Sequence, residues 1–344
     1  MIDPVKSDQA GTETDADDFR ALLRRRGFVE SEQARLTPLT GGVSSEIYLV
    51  EDGDRRFVVK RALEKLKVKD DWFADTSRNH SEQAYMRYVA GFRPDAMPEI
   101  YQSDAEAGLF AMEYLDGFRN WKQELLAGEC DIKLASQAGV LLGEIHARSW
   151  SDPQAKTDFD SIPNFDQLRI DPYLRATAAK HSDLAAKILA EAERLTNSRQ
   201  CLIHGDFSPK NIMVKGNRLV PLDCEVACYA DAAFDLAFFL NHLFLKSLFH
   251  SRSDLPFDAM VTAARTGYRK ANAAHADEVE MRTANLLPML LLARVDGKSP
   301  VEYLNQAKQS IVRSFVKEQS SDDNACLEQI EKNWFSNLQH LMNE

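Results

Sequence analysis

Apolar positions along the chain follow two different periods. Early on, short alternating runs predominate. Leu36–Val50 reads as strand, glycine turn, strand, and Asp52-Gly53 makes a tight hairpin turn into the return strand Arg56–Lys60. Pro98–Tyr101 and Leu109–Leu115 read as two more strands. A short helix over Asp17–Arg26, with Phe19, Leu22 and Leu23 on one face and Gly27 closing it, precedes this set. A second helix, at about 76–90, carries Glu82, Tyr85, Met86 and Val89 at helical spacing. Beyond Asp116-Gly117 the pattern turns helical. Leu134, Ala138, Leu141, Leu142 and Ile145 line one face of a helix over Asp131–Trp150. Two helices follow within 165–197, then a very apolar one over Leu236–Phe249, then helices near 257–273, 276–294, 299–318 and 323–342. Only Cys201–Ile203, Asn211–Val214 and Arg218–Leu222 interrupt this region as strands, the last two as a hairpin. The pattern predicts an α+β protein in three parts: a disordered tail over 1–16, a sheet-rich lobe over 17–115 and a mainly helical lobe over 116–344.

Composition narrows the functional classes. The 344 residues are 44% hydrophobic and 28% charged, ample for two cores, and the net charge of −11 argues against a general nucleic-acid or anionic-membrane binder. Five scattered cysteines in apolar contexts do not form a disulfide framework, and Cys224 and Cys228 have no second Cys/His pair to complete a zinc site. The N-terminus has no apolar signal core and no run reads as long enough to span a bilayer, so the expectation is a cytoplasmic protein.

The chemistry concentrates between Ile203 and Asp223. Asp206, Asn211 in the same loop and Asp223 after the hairpin are the parts that phosphoryl transfer needs. One carboxylate orients a hydroxyl nucleophile, while an amide oxygen and a second carboxylate present hard oxygens to Mg²⁺. The earlier lobe offers matching nucleotide contacts. Gly41, Gly42, Ser44 and Ser45 can present N–H groups and hydroxyls to a phosphate. Lys60, at the end of its strand, can reach the phosphates of a nucleotide if a carboxylate holds it, and Glu82 is the first candidate. Glu113 and Leu115 offer backbone groups to an adenine edge. His146 reads as a core histidine. His242, Lys246 and His250 share a helix face that is either a solvated stripe or a wall of the acceptor site.

Taken in order, Gly41-Gly42-Val43-Ser44-Ser45, Lys60, Glu82, Met112-Glu113-Tyr114, His204-Gly205-Asp206 with Asn211, and Leu222-Asp223 resemble the aminoglycoside phosphotransferase/choline kinase family, as does Asp231-Ala232-Ala233-Phe234-Asp235. The likeness runs from about residue 37 to 250 and is strongest over 203–235. It implies a bilobal protein-kinase-like fold, with an antiparallel sheet and helix in the first lobe and a small catalytic hairpin in the second. It also implies ATP and Mg²⁺ as cofactors, Asp206 as the catalytic base, Asn211 and Asp223 as metal ligands, and Asp235 as a brace behind the loop. Gly205 stands where protein kinases carry an arginine, and the gap from Asp223 to Asp235 is too short for an activation segment, so no protein substrate is expected. The expected function is transfer of the γ-phosphoryl group to a hydroxyl of a small molecule; the rival is a catalytically silent nucleotide-binding protein on the same fold. Arg169, Glu225, His242 and Lys246 are the candidate acceptor residues, a mixture that suits a sugar or hydroxy acid as well as a polycation.

Overall fold

A computed structural model of the protein describes residues 13–39, 45–62, 78–320 and 326–343. The chain divides into two compact units, 1–119 with 213–220, and 120–212 with 221–344.

The first unit is built on an antiparallel sheet of β1 (Arg35–Pro38), β2 (Ser45–Asp52), β3 (Arg55–Ala62), β4 (Ile100–Asp104) and β5 (Leu109–Glu113), in the order β1-β2-β3-β5-β4. Alternation on β3 decides what each face does. Phe57 and Val59 join Val50, Leu109 and Ala111 in a core sealed by Phe19 and Leu23 of helix α1 (Glu13–Arg25). Val58 and Lys60 point the other way, and Lys60 meets helix α2 (Arg78–Ala90) there. The tail expected over 1–16 lies, for residues 1–12, outside the described residues, and helix α1 begins at Glu13. Strands β8 (Ile212–Lys215) and β9 (Arg218–Pro221), with β6 (Arg119–Asn120) beside them, form a separate small sheet. Residues 213–220 belong to the first unit because Arg218 reaches back to it. Its guanidinium donates to both carboxylate oxygens of Glu113 at 2.6 and 2.7 Å, to Asp95 O at 2.9 Å and to Met97 O at 3.2 Å.

The second unit begins with α3 (Trp121–Ala127) and α4 (Ile132–Ser149). The short helices α5 (Pro153–Asp158) and α6 (Ile162–Phe165) then lead into a π-helix over Asp166–Arg175 with Pro172 inside it. After α7 (Ala176–Ala178) and α8 (Ala185–Asn197) comes strand β7 (Cys201–Ile203). It pairs antiparallel with β10 (Cys228–Ala230), a strand absent from the sequence pattern. Helices α9 (Ala232–His250), α10 (Phe257–Ala271), α11 (Ala276–Asp296), α12 (Gln306–Gln319) and α13 (Leu327–Asn343) complete the unit. Helix α12 starts at Gln306, later than 299, because the Asn305 side chain caps it by accepting from Lys308 N. Helix α9 is the axis of the core, buried at every position from Ala232 to Leu248. Its length and composition would suit a membrane span, contrary to the sequence expectation, but here the same apolar surface is covered by protein. Helices α4 and α10 approach closely enough that a Cβ on Gly139 would sit 2.0 Å from Ala264 O. All five cysteines are free thiols.

Candidate active site

In the first unit, Lys60 and Glu82 are almost fully buried. The ammonium lies 2.9 Å from one carboxylate oxygen of Glu82 and 2.6 Å from the other. Glu82 shares a helical face with the buried Tyr85, Met86 and Val89, which fix its approach to β3. Ser45 is buried at the start of β2, opposite Ala62. Gly41, Gly42 and Ser44 lie outside the described residues. At the end of β5, Glu113 donates its N–H to Glu99 O at 2.8 Å, and the hydrogen bonds from Arg218 hold its carboxyl below the usual carboxylate range. The Glu113 N–H is therefore already committed. Leu115 stands in the following turn, where its carbonyl accepts from Phe118 N at 3.3 Å.

In the second unit, the loop after β7 is held from behind and from one side. Asp235, wholly buried in the first turn of α9, accepts from His204 N at 2.6 Å and Gly205 N at 2.9 Å. His146 stands 3.5 Å behind it and hydrogen-bonds the Tyr268 hydroxyl, which in turn accepts from the Asn272 amide. His146 is thus a bracing core residue. Gly205 takes φ +75°, and a Cβ there would meet Val226 O at 2.8 Å, so only glycine fits this turn. The turn delivers Asp206, whose N–H donates to His204 Nδ1 at 3.2 Å; burial lowers the pKa of that imidazole and so favours its neutral form. Arg169, on the π-helix, pairs with the Asp206 carboxylate at 2.9 Å and donates through Nε to Gly205 O at 2.7 Å. Its guanidinium also feels Glu225 and Asp223. Arg169, a candidate acceptor residue, is thus in contact with both the loop backbone and the Asp206 carboxylate.

Asn211 lies in the short turn before β8, and its amide nitrogen donates to Asp206 O at 3.1 Å, which leaves its oxygen for another partner. The hairpin returns the chain so that Leu222 N donates to Asn211 O at 2.7 Å. The next residue, Asp223, is half-buried and has φ +63°, a conformation that costs a non-glycine residue and so needs its surroundings to hold it. Among the described residues no group of three or more His, Cys, Asp or Glu side chains is arranged to hold a metal ion. The pair Asn211 and Asp223 nevertheless fits Mg²⁺, which takes one or two protein oxygens and completes its shell with phosphate and water.

The stripe on α9 is not solvated. Lys246 has no exposed surface and His242 is 6% exposed, whereas His250 is half-buried and makes a 2.7 Å hydrogen bond with Leu125 O. Packing of the whole second unit around α9 decides this, and local spacing cannot reveal it.

Residues 35–274 match the model of the phosphotransferase enzyme family. The chain belongs to that family. Methylthioribose kinase of Bacillus pumilus is 26% identical over 257 residues, which cover 66% of this chain and 65% of that one. Methylthioribose kinase of Yersinia pseudotuberculosis serotype O:1b is 25% identical over 261 residues, covering 67% of this chain and 64% of that one. The chain thus spans just under two thirds of the length of these relatives. Among solved structures, amicoumacin kinase hAmiN in complex with AMP-PNP, Ca²⁺ and Ami aligns with TM-score 0.54 and 15% identity, covering 91% of this chain and 96% of that one. A choline/ethanolamine kinase family protein from Mesorhizobium loti aligns with TM-score 0.52 and 14% identity, covering 93% and 98%. These likenesses establish the protein-kinase-like α+β fold. The pairing of Arg218 was not legible in the sequence because its partner Glu113 lies 105 positions away. The pairing of Arg169 with Asp206 was not legible either, because a π-helix leaves no periodic trace that separates it from an α-helix.

Proposed function

We propose that the protein is an ATP- and Mg²⁺-dependent kinase that transfers the γ-phosphoryl group to a hydroxyl of a small molecule. The observation that carries this reading is the loop from His204 to Asp223. In it a buried carboxylate, Asp206, is oriented by Arg169 and joined through its own carbonyl to Asn211, while Asp223 follows the hairpin in a left-handed conformation. Asp206 accepts the proton of the acceptor hydroxyl, and Arg169 keeps its carboxylate in position. Lys60, neutralised by Glu82 until a phosphate approaches, binds nucleotide phosphate oxygens. Asn211 and Asp223 would hold Mg²⁺, which would offset charge on the phosphates. Asp235 fixes the loop backbone so that little reorganisation is needed at the moment of transfer. The matched relatives are named as kinases of methylthioribose, and solved structures of this fold as kinases of choline, ethanolamine or amicoumacin, which supports a small-molecule acceptor. We place the enzyme in the cytoplasm, where ATP is available.

The test is Asp206→Asn in the full chain, with ATP turnover followed across a panel of hydroxyl compounds. Turnover should fall by about 10²–10⁴-fold, while the Kd for ATP with Mg²⁺ stays within a factor of ~3, well under one decade of affinity. A variant with unaltered turnover removes Asp206 from the mechanism. Nucleotide binding by the wild type without turnover of any acceptor favours the silent alternative.

A further inference from the structure

Lys246 is the anomaly of the second unit. Helix α9 is apolar along most of its length, yet this ammonium sits in its buried stretch with one hydrogen bond, a 3.4 Å contact with its own helix at His242 O. The Tyr303 ring lies 5.3 Å away, and the same ring lies 6.0 Å from the ammonium of Lys122 on α3. Glu302, the acid whose charge reaches Lys246, is already paired with Lys122. Arg294 of α11 also bears on the site. It stacks on Tyr173 and donates to the Tyr173 hydroxyl at 3.1 Å and to Ser299, with no carboxylate among these partners. Both Arg294 Nε and the Tyr303 hydroxyl are buried without a hydrogen-bond partner.

The cluster borders the catalytic loop. His242, one turn before Lys246, feels Lys246, Arg294, Lys122 and Lys210, and Lys210 directly precedes Asn211. The Asn120 side chain, which caps α3 by accepting from Gln123 N, also donates to Lys210 O at 2.6 Å, so the helix bearing Lys122 is tied to that loop. Cations thus gather around His242 and Lys246, and burial first, then Lys122 and Arg294, bring Lys246 down to about 7. A buried ammonium without a counter-ion destabilises a fold, and an apolar side chain of similar length would serve the core better. The arrangement lacks one component, a negative charge.

We propose that Lys246, His242, Lys122, Arg294 and Tyr303 recognise the acceptor, and that the acceptor is a small hydroxyl compound bearing a carboxylate or phosphate group. This rests on the kinase reading above and narrows it. The anion accepts hydrogen bonds from Lys246, Arg294 Nε and the Tyr303 hydroxyl, and its hydroxyl extends towards Asp206. Quaternary ammonium compounds and polycationic aminoglycosides meet like charge in the same place and are rejected.

The test pairs acceptors with and without an anionic group: glycerate with glycerol, gluconate with glucose, and glucose 6-phosphate with glucose, with choline and kanamycin as cationic controls. ADP release by the full-length enzyme is the readout. Acid or phosphate members should exceed their neutral partners in kcat/KM by at least about 30-fold, and Lys246→Met should remove most of that preference, as truncating one partner of a buried charge pair does. Lys122→Met, at a half-exposed site, provides a second variant if Lys246→Met fails to fold. A second arm omits ATP and measures the thermal shift produced by gluconate, glycerate and inorganic phosphate. A shift that disappears in both variants supports the proposal even if no acceptor is turned over, in which case only the kinase reading fails. Turnover of neutral sugars or choline equal to that of the acids overturns the proposal and leaves the kinase reading standing. Anion effects that survive both substitutions, or no anion shift combined with no anion preference, overturn it as well.

Discussion

At the scale of single residues, two backbone conformations set the catalytic loop. Gly205 adopts φ +75° against Val226 O, and Asp223 adopts φ +63°. Gly205→Ala adds both a left-handed penalty and a contact at 2.8 Å. It should lower stability by about 1–3 kcal/mol, measured by urea denaturation, and reduce turnover further because Asp206 is the next residue. Arg169 acts on Asp206 and on the carbonyl before it. Arg169→Met should lower kcat by about 10–100-fold, the equivalent of one lost charge-assisted hydrogen bond, with ATP affinity unchanged. Arg169→Lys should recover part of the loss, since it restores charge without the two-pronged geometry. Equal losses in the two variants would mean that Arg169 serves only as packing.

At the scale of elements, α9 and the α4–α10 pair carry the second unit. Lys246 on α9 has a folded pKa of about 7 against an ordinary value of 10.5. The unfolded chain therefore binds the extra proton between those values, and stability should rise as pH increases from about 7 towards 10.5. Below that window both states are protonated and the destabilisation is constant. Lys246→Met should raise Tm at neutral pH and flatten this rise, which chemical denaturation at a series of pH values will show. A stabilised yet acceptor-blind variant is the signature of a residue retained for binding. The close approach of α4 and α10 depends on Gly139, where a Cβ would lie 2.0 Å from Ala264 O. Gly139→Ala should destabilise the protein by roughly 1–3 kcal/mol through overpacking, while Gly53→Ala, with open space around its turn, should be limited to the cost of its φ of +62°.

For the molecule as a whole, net charge and local charge differ in sign. The chain carries −11, yet the cluster around Lys246 is cationic. Long-range attraction to polyanions is governed by the total, so the protein should pass through heparin resin without retention at low salt. Retention would point to a separate basic surface. Small anions are recognised at short range, where the buried cluster outweighs the distant acids because solvent screens the latter.

Much of this was legible in the sequence. The order of chemical residues from Lys60 to Asp223 is fixed by the chain, and the loop Asp206–Asn211 with its hairpin follows from local turn chemistry over a few residues. The Lys60–Glu82 pair was legible because an alternating strand and a helical face each offer one charge in an apolar run. Local interactions could not decide whether the polar residues of α9 face water or core, since the same spacing serves both. Nor could they assign Arg169 to Asp206, Arg218 to Glu113, or Tyr303 and Arg294 to Lys246, whose partners are set by long-range packing. Sequence alone determined the class of chemistry proposed, because phosphoryl transfer needs particular residue types within short loops. Tertiary structure alone decided which charges beside α9 are compensated, because that depends on which distant side chains burial brings against them.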